Sequence, residues 1–124
     1  MMRILLVDDE PDITLPFSIG LEDNGFEVDA FNDSEMALLN FKDKSYVLAL
    51  LDIKMPKMNG IELYNELRKI NKKLKVCFIT AFDVQKEDLN TLSALNGNPV
   101  IIRKPIGIAD LVKKVKLEIG SNQA

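Results

Sequence analysis

What most limits the fold of this chain is a set of apolar runs that are too short for helices and apolar throughout: residues 4–7 (ILLV), 47–51 (VLALL), 76–79 (VCFI) and 100–102 (VII). Strands with no polar face are covered on both sides, which is the mark of a parallel sheet between helices. A further run, FEVDAF at 26–31, alternates apolar and polar and reads as a half-exposed strand. The segments between these runs carry helix signals. PDITLPFSIGLEDNG starts at Pro11 and stops at Gly25, and Asp33 or Ser34 caps EMALLNFKDK. IELYNELRKI buries a stripe of Ile61, Leu63, Leu67 and Ile70, VQKEDLNTLSALN stops near Gly97, and IADLVKKVKLEI is the last helix. Pro16 would remove the bond to the carbonyl of Asp12, so a kink or break is expected between Asp12 and Pro16.

Five strands alternating with five helices through short loops predict a five-stranded parallel sheet with helices on both faces and right-handed crossovers. At 124 residues the chain is expected to be one domain with one hydrophobic core. Residues 1–119 form that unit in this reading, and the small polar end GSNQA reads as a flexible tail or the start of a linker over 120–124. No run approaches the length of a membrane span and no secretory signal opens the chain, so a cytoplasmic protein is expected.

Composition then narrows the chemistry. There is no histidine, which removes Ser/His/Asp and Cys/His nucleophile systems and the common zinc sites. The single cysteine, Cys77, lies in an apolar run and reads as packing. A net charge of −3 with dispersed basic residues argues against direct nucleic-acid binding. What remains is carboxylate, hydroxyl, amine or a hard metal.

These groups are what the strands carry at their carboxyl ends. The first strand ends in Asp8 and Asp9, the third in Asp52, the fourth in Thr80 and the fifth in Lys104. The acids after the first strand read either as an ordinary polar loop or as one wall of a site, because ligands of open α/β sheets bind at this end. In the strand order 2-1-3-4-5, Asp8, Asp9 and Asp52 become neighbours. Carboxylates about 4 Å apart repel by roughly 4 kcal/mol at an effective dielectric of about 20, so the cluster calls for protons or a cation. All-oxygen donors suit Mg²⁺. Carboxylate, magnesium, ammonium and hydroxyl together suit phosphoryl transfer, with Asp52 as a nucleophile.

The stretches LLVDDE, LLDIKMPKMNG, FITA and IRKP at these intervals resemble the receiver domain of two-component response regulators over residues 3 to 119. The resemblance implies the flavodoxin-like (βα)5 receiver fold. It implies Asp52 as phosphoacceptor, Thr80 as the switch hydroxyl and Lys104 as the phosphate-contacting lysine. Asp9, Asp52 and the backbone carbonyl of Lys54 would hold Mg²⁺, with Asp8 assisting through water, while Glu10 reads as a solvated or helix-starting charge. A cis peptide at Lys104–Pro105 is also implied, and Lys54 and Phe82 would flank the phosphoryl group.

The implied partners are a histidine kinase or phosphotransfer protein, and a downstream protein or second copy at the face of the fourth helix, fifth strand and fifth helix. Ile101 stands where receivers commonly carry an aromatic, so that face is expected to be aliphatic, flanked by Arg103, Lys113, Lys114 and Lys116. A solvated helix face is the plainer reading of those lysines. The chain is not read as an enzyme beyond its own phosphorylation and dephosphorylation. Two alternatives stand beside this: a degenerate receiver that only binds protein, and a small Mg²⁺-dependent phosphatase. The phosphatase is disfavoured because Lys54, not an acid, stands two residues after Asp52.

Overall fold

The computed structural model describes residues 2–42, 44–81, 90–92, 94 and 99–120. Five strands form one sheet: β1 (Arg3–Val7), β2 (Glu27–Phe31), β3 (Leu48–Asp52), β4 (Lys75–Thr80) and β5 (Val100–Arg103). All neighbours are parallel, as the runs of apolar residues predicted, and the order is 2-1-3-4-5, as the resemblance to receivers implied. Helices α1 (Pro11–Asp23), α2 (Ser34–Phe41) and α3 (Gly60–Ile70) follow the first three strands, and a C-terminal helix (Ile108–Gly120) follows the fifth. Of the predicted fourth helix, Asn90–Leu92 is helical and most of the rest lies outside the described residues.

The period-two alternation of the strands divides the core into two layers. Leu5, Val7, Ala49, Leu51, Val76 and Phe78 face α2 and α3, packing on Ala37, Phe41, Leu63 and Leu67. Ile4, Leu6, Leu48, Leu50, Cys77, Ile79 and Ile102 face α1 and the C-terminal helix, packing on Phe17, Leu21, Leu111 and Val115. Burial holds the Cys77 thiol up to about 12, so it serves as packing, as its apolar run implied.

Helix ends follow their local chemistry. Asp33 caps α2 by accepting from the backbone N–H groups of Glu35 and Met36, and Asn59 forms a reciprocal capping box with Glu62 on α3. Gly25 after α1 takes φ +93°, which suits a residue without Cβ.

Two expectations are corrected. Helix α1 runs unbroken through Pro16. Only the first turn precedes the proline: Ile13 and Thr14 donate backbone bonds to the carbonyl of the N-cap residue Glu10, and Asn32 Nδ2, from beyond β2, donates to Thr14 Oγ1 at 3.0 Å. The missing bond to Asp12 therefore does not end the helix. In α3, Ile70 lies exposed in the last turn, and Tyr64 takes the buried position with its ring 5.6 Å from that of Phe78.

Candidate functional site

Register decides which side chains meet. Val7 pairs with Leu51, so the next residues, Asp8 and Asp52, leave adjacent strands side by side at the carboxyl edge. Asp52 in turn pairs with Ile79, and Ile79 with Ile102. Alternation then places Asp8, Asp52 and Lys104 on the α1 side of the sheet, whereas Thr80 follows Phe78 to the other side. This is why three of the predicted residues touch.

Lys104 Nζ lies 2.8 Å from Asp8 Oδ2, 3.6 Å from Asp52 Oδ1 and 3.7 Å from Glu10 Oε1. Asp8 is fully buried and Asp52 nearly so. The Lys104 backbone N–H donates to the Thr80 carbonyl at 2.7 Å, and the following peptide to Pro105 is cis. Thr80 is buried and its hydroxyl donates to the Ala81 carbonyl at 3.2 Å.

The acids are crowded beyond what one ammonium neutralises. Burial, followed by the charge of Asp8, pushes the Asp52 carboxyl up to about 7, against the lowering pull of Lys104. Lys104 is desolvated, yet its bond to Asp8 and the nearby acids hold its pKa above the usual 10.5. One oxygen each from Asp8, Asp9 and Glu10 lie within 4.8 Å of one another. An all-carboxylate set with an unfavourable charge balance fits a hard divalent cation.

Glu10 precedes α1 without a side-chain cap, and its side chain is 62% exposed, in keeping with a helix-starting charge. Lys54 is exposed on the loop after β3, where residues 53–56 and Asn59 line a cavity of about 360 Å³. Phe82 lies outside the described residues. Ile101 is 37% exposed and, with Arg103, Lys113, Lys114 and Leu117, lines a groove of about 640 Å³ between β5 and the C-terminal helix.

Two residues escaped the sequence reading. Asn32 Nδ2 donates to the Asp8 carbonyl at 2.8 Å as well as to Thr14, which ties the loop after β1 to the end of β2. A Cβ on Gly60 would stand 2.0 Å from the Asp52 carbonyl oxygen, so only glycine lets α3 start against the end of β3. The glycine after Asn59 was a visible signal for the second; nothing in the sequence marked Asn32.

The chain is 37% identical over 117 residues to a transcriptional regulatory protein CpxR homolog of Haemophilus influenzae, covering 94% of this chain and 49% of that one. It thus spans about half the length of that relative. Among solved structures, a CheY-like response regulator receiver domain protein from Methanospirillum hungatei superimposes with a TM-score of 0.88 at 30% identity, covering 99% of this chain and 97% of that one. The response regulator TrrA of Thermotoga maritima, solved with Mg²⁺ and BeF, matches at 36% identity and a TM-score of 0.80, covering 95% of this chain and 99% of that one. TrrA has also been solved in complex with the histidine kinase ThkA. The response regulator receiver domain model matches residues 4–116, the span that holds the acids, the hydroxyl and the lysine gathered at the strand ends, and the chain belongs to that family.

Proposed function

We propose that Asp52 accepts a phosphoryl group from the phosphohistidine of a histidine kinase or phosphotransfer protein, and that its phosphorylation switches an output surface. The observation that carries this reading is Lys104, whose ammonium stands 3.6 Å from Asp52 in a pocket built from three separate strands. A buried carboxylate beside a fixed ammonium is placed both to attack phosphorus and to have the resulting phosphoryl oxygens neutralised. Asp8, Asp9, Asp52 and the Lys54 carbonyl would hold Mg²⁺, which when bound neutralises phosphoryl oxygens alongside Lys104.

The remaining roles fall to this chain's own groups. Asp8 holds the Lys104 ammonium in place through its 2.8 Å contact. The Thr80 hydroxyl is the switch, exchanging its bond to Ala81 for one to the phosphoryl group. The output face is the groove of Ile101, Arg103, Lys113, Lys114 and Leu117, for a downstream protein or a second copy of the chain. The receiver unit spans residues 1–119, and the cytoplasm is the compartment that suits it; no helix among the described residues is long and apolar enough to cross a membrane.

Incubation with a small acyl phosphate and Mg²⁺, followed by intact-mass measurement, tests the reading. One phosphate is gained by the wild type, none without Mg²⁺ and none by Asp52→Asn. Equal labelling of Asp52→Asn would move the acceptor elsewhere.

A further inference from the structure

The junction between β2 and α2 supplies none of the groups assigned to the site, yet it bonds to both loops that do. Asn32 Nδ2 donates to the Asp8 carbonyl at 2.8 Å and to Thr14 Oγ1 at 3.0 Å. Asp9 and Glu10 lie between those two points, so one amide fixes both ends of the segment that carries them. Two residues on, the buried Ser34 donates from Oγ to the Met58 carbonyl at 2.8 Å. Met58 belongs to the loop from β3 to α3 that carries Lys54. That loop is pinned at its base, where the Gly60 N–H donates to the Ile53 carbonyl at 2.8 Å. At its far end the Met58 N–H donates to the Pro56 carbonyl at 2.8 Å around Lys57, whose φ is +68°. This is a γ-turn of the rare, strained hand, which persists only where its surroundings hold it. The Lys57–Glu35 pair at 3.7 Å is exposed and screened, whereas the Ser34 bond is buried and meets the last residue of the turn.

We infer that Asn32 and Ser34 are positioning residues for the metal: the junction clamps the loop of Asp9 to the loop of the Lys54 carbonyl and so sets the spacing of ligands to which it contributes none. The clamp rests on the reading that those groups, with Asp8 and Asp52, hold Mg²⁺. It is stiff because Asp33 alone separates the two residues, a span of at most about 7 Å, and the Asp33 side chain is itself bonded to the first turn of α2. Mg²⁺ demands near-ideal octahedral geometry. Loosening either loop therefore weakens binding even when every ligand is kept, as losing a partner behind a metal ligand does.

A Mg²⁺ titration of the metal-free protein tests the clamp, read from folded-state amide resonances by NMR at pH 8, above the value of about 7 to which the Asp52 carboxyl is pushed. Ser34→Ala and Asn32→Ala keep every candidate ligand, and each raises the Mg²⁺ dissociation constant about threefold to tenfold. The rise is larger for Ser34, whose bond is buried, than for Asn32, whose exposed amide water can replace. Asp29→Asn controls for stability alone. It removes a carboxylate that accepts from Arg3, Lys44 and Tyr46 opposite Leu5, three residues back along the chain from Asp8, and it leaves the constant unchanged. A constant matching wild type in either Ser34→Ala or Asn32→Ala, or one raised as much by Asp29→Asn, overturns the clamp and leaves the metal reading standing. A wild type without saturable Mg²⁺-dependent shifts overturns the metal reading and the clamp with it.

Discussion

Asp52 is a residue whose charge the fold does not favour. Burial and the neighbouring Asp8 both oppose ionisation, and the Lys104 ammonium lies closer to Asp8 than to Asp52. The proposed acceptor role requires the charge, and the environment opposes it. Replacing the carboxylate by its neutral isostere should therefore raise the melting temperature of the metal-free protein at pH 8 by several degrees. Thermal unfolding followed by circular dichroism checks this, and an Asp52→Asn variant less stable than wild type would mean that Asp52 contributes net stability through Lys104. The sequence identified Asp8, Asp52 and Lys104 because each ends a recognisable strand. It could not show which of them touch, because contact depends on the register and side-chain parity that separate Thr80 from the other three.

The elements that hold the site are joined by contacts of two kinds. At the start of α3 the constraint is steric: the Cβ of an alanine at Gly60 would meet the Asp52 carbonyl at 2.0 Å, and the obstacle is backbone rather than a movable side chain. Gly60→Ala should cost about 2 kcal/mol or more, read as a fall in the denaturant midpoint, and should slow phosphorylation by displacing Asp52.

On the edge strand β2 the constraint is electrostatic. Asp29 accepts both NH1 bonds of Arg3, at 2.9 and 3.0 Å, a bond from Lys44 Nζ at 3.2 Å and one from the Tyr46 hydroxyl at 2.7 Å. Desolvation raises its pKa, but the bonds from Tyr46, Lys44 and Arg3 outweigh that and hold it below the usual 3.8. Between the folded value and 3.8 the unfolded chain binds more protons, so this stabilisation is present above 3.8 and is lost as pH falls through the folded value. Asp29→Asn should lower the melting temperature at pH 7 by a few degrees, with the gap to wild type narrowing below pH 3.8. A gap that is constant with pH would assign the effect to packing. Residue spacing could not reveal this cluster, since Arg3, Asp29, Lys44 and Tyr46 are brought together only by the pairing of β1 with β2 and the approach of the loop before β3. In the unbroken α1 a non-local contact also takes part: local propensity argued for a kink or break near Pro16, and Asn32, from beyond β2, bonds the first turn at Thr14.

At the scale of the molecule, the 2-1-3-4-5 order sends the connections after β1 and β3 to opposite faces of the sheet and opens a crevice between those strands at their carboxyl ends. The parallel sheet was legible because β1, β3 and β4 are apolar on both faces, whereas the strand order came from the resemblance to receivers. Asp8 and Asp52 both stand at this crevice, with the Lys104 ammonium 2.8 Å from the first and 3.6 Å from the second. Of these acids, Asp52 is the one proposed as the acceptor. An aspartyl phosphate is an acyl phosphate, and borohydride reduces it to homoserine at the position that carried the phosphate. Phosphorylated protein reduced in this way and sequenced as peptides by mass spectrometry should show homoserine at position 52 and nowhere else. Homoserine at position 8, 9 or 10, or its absence from position 52 in protein shown to carry phosphate, would place the acceptor elsewhere.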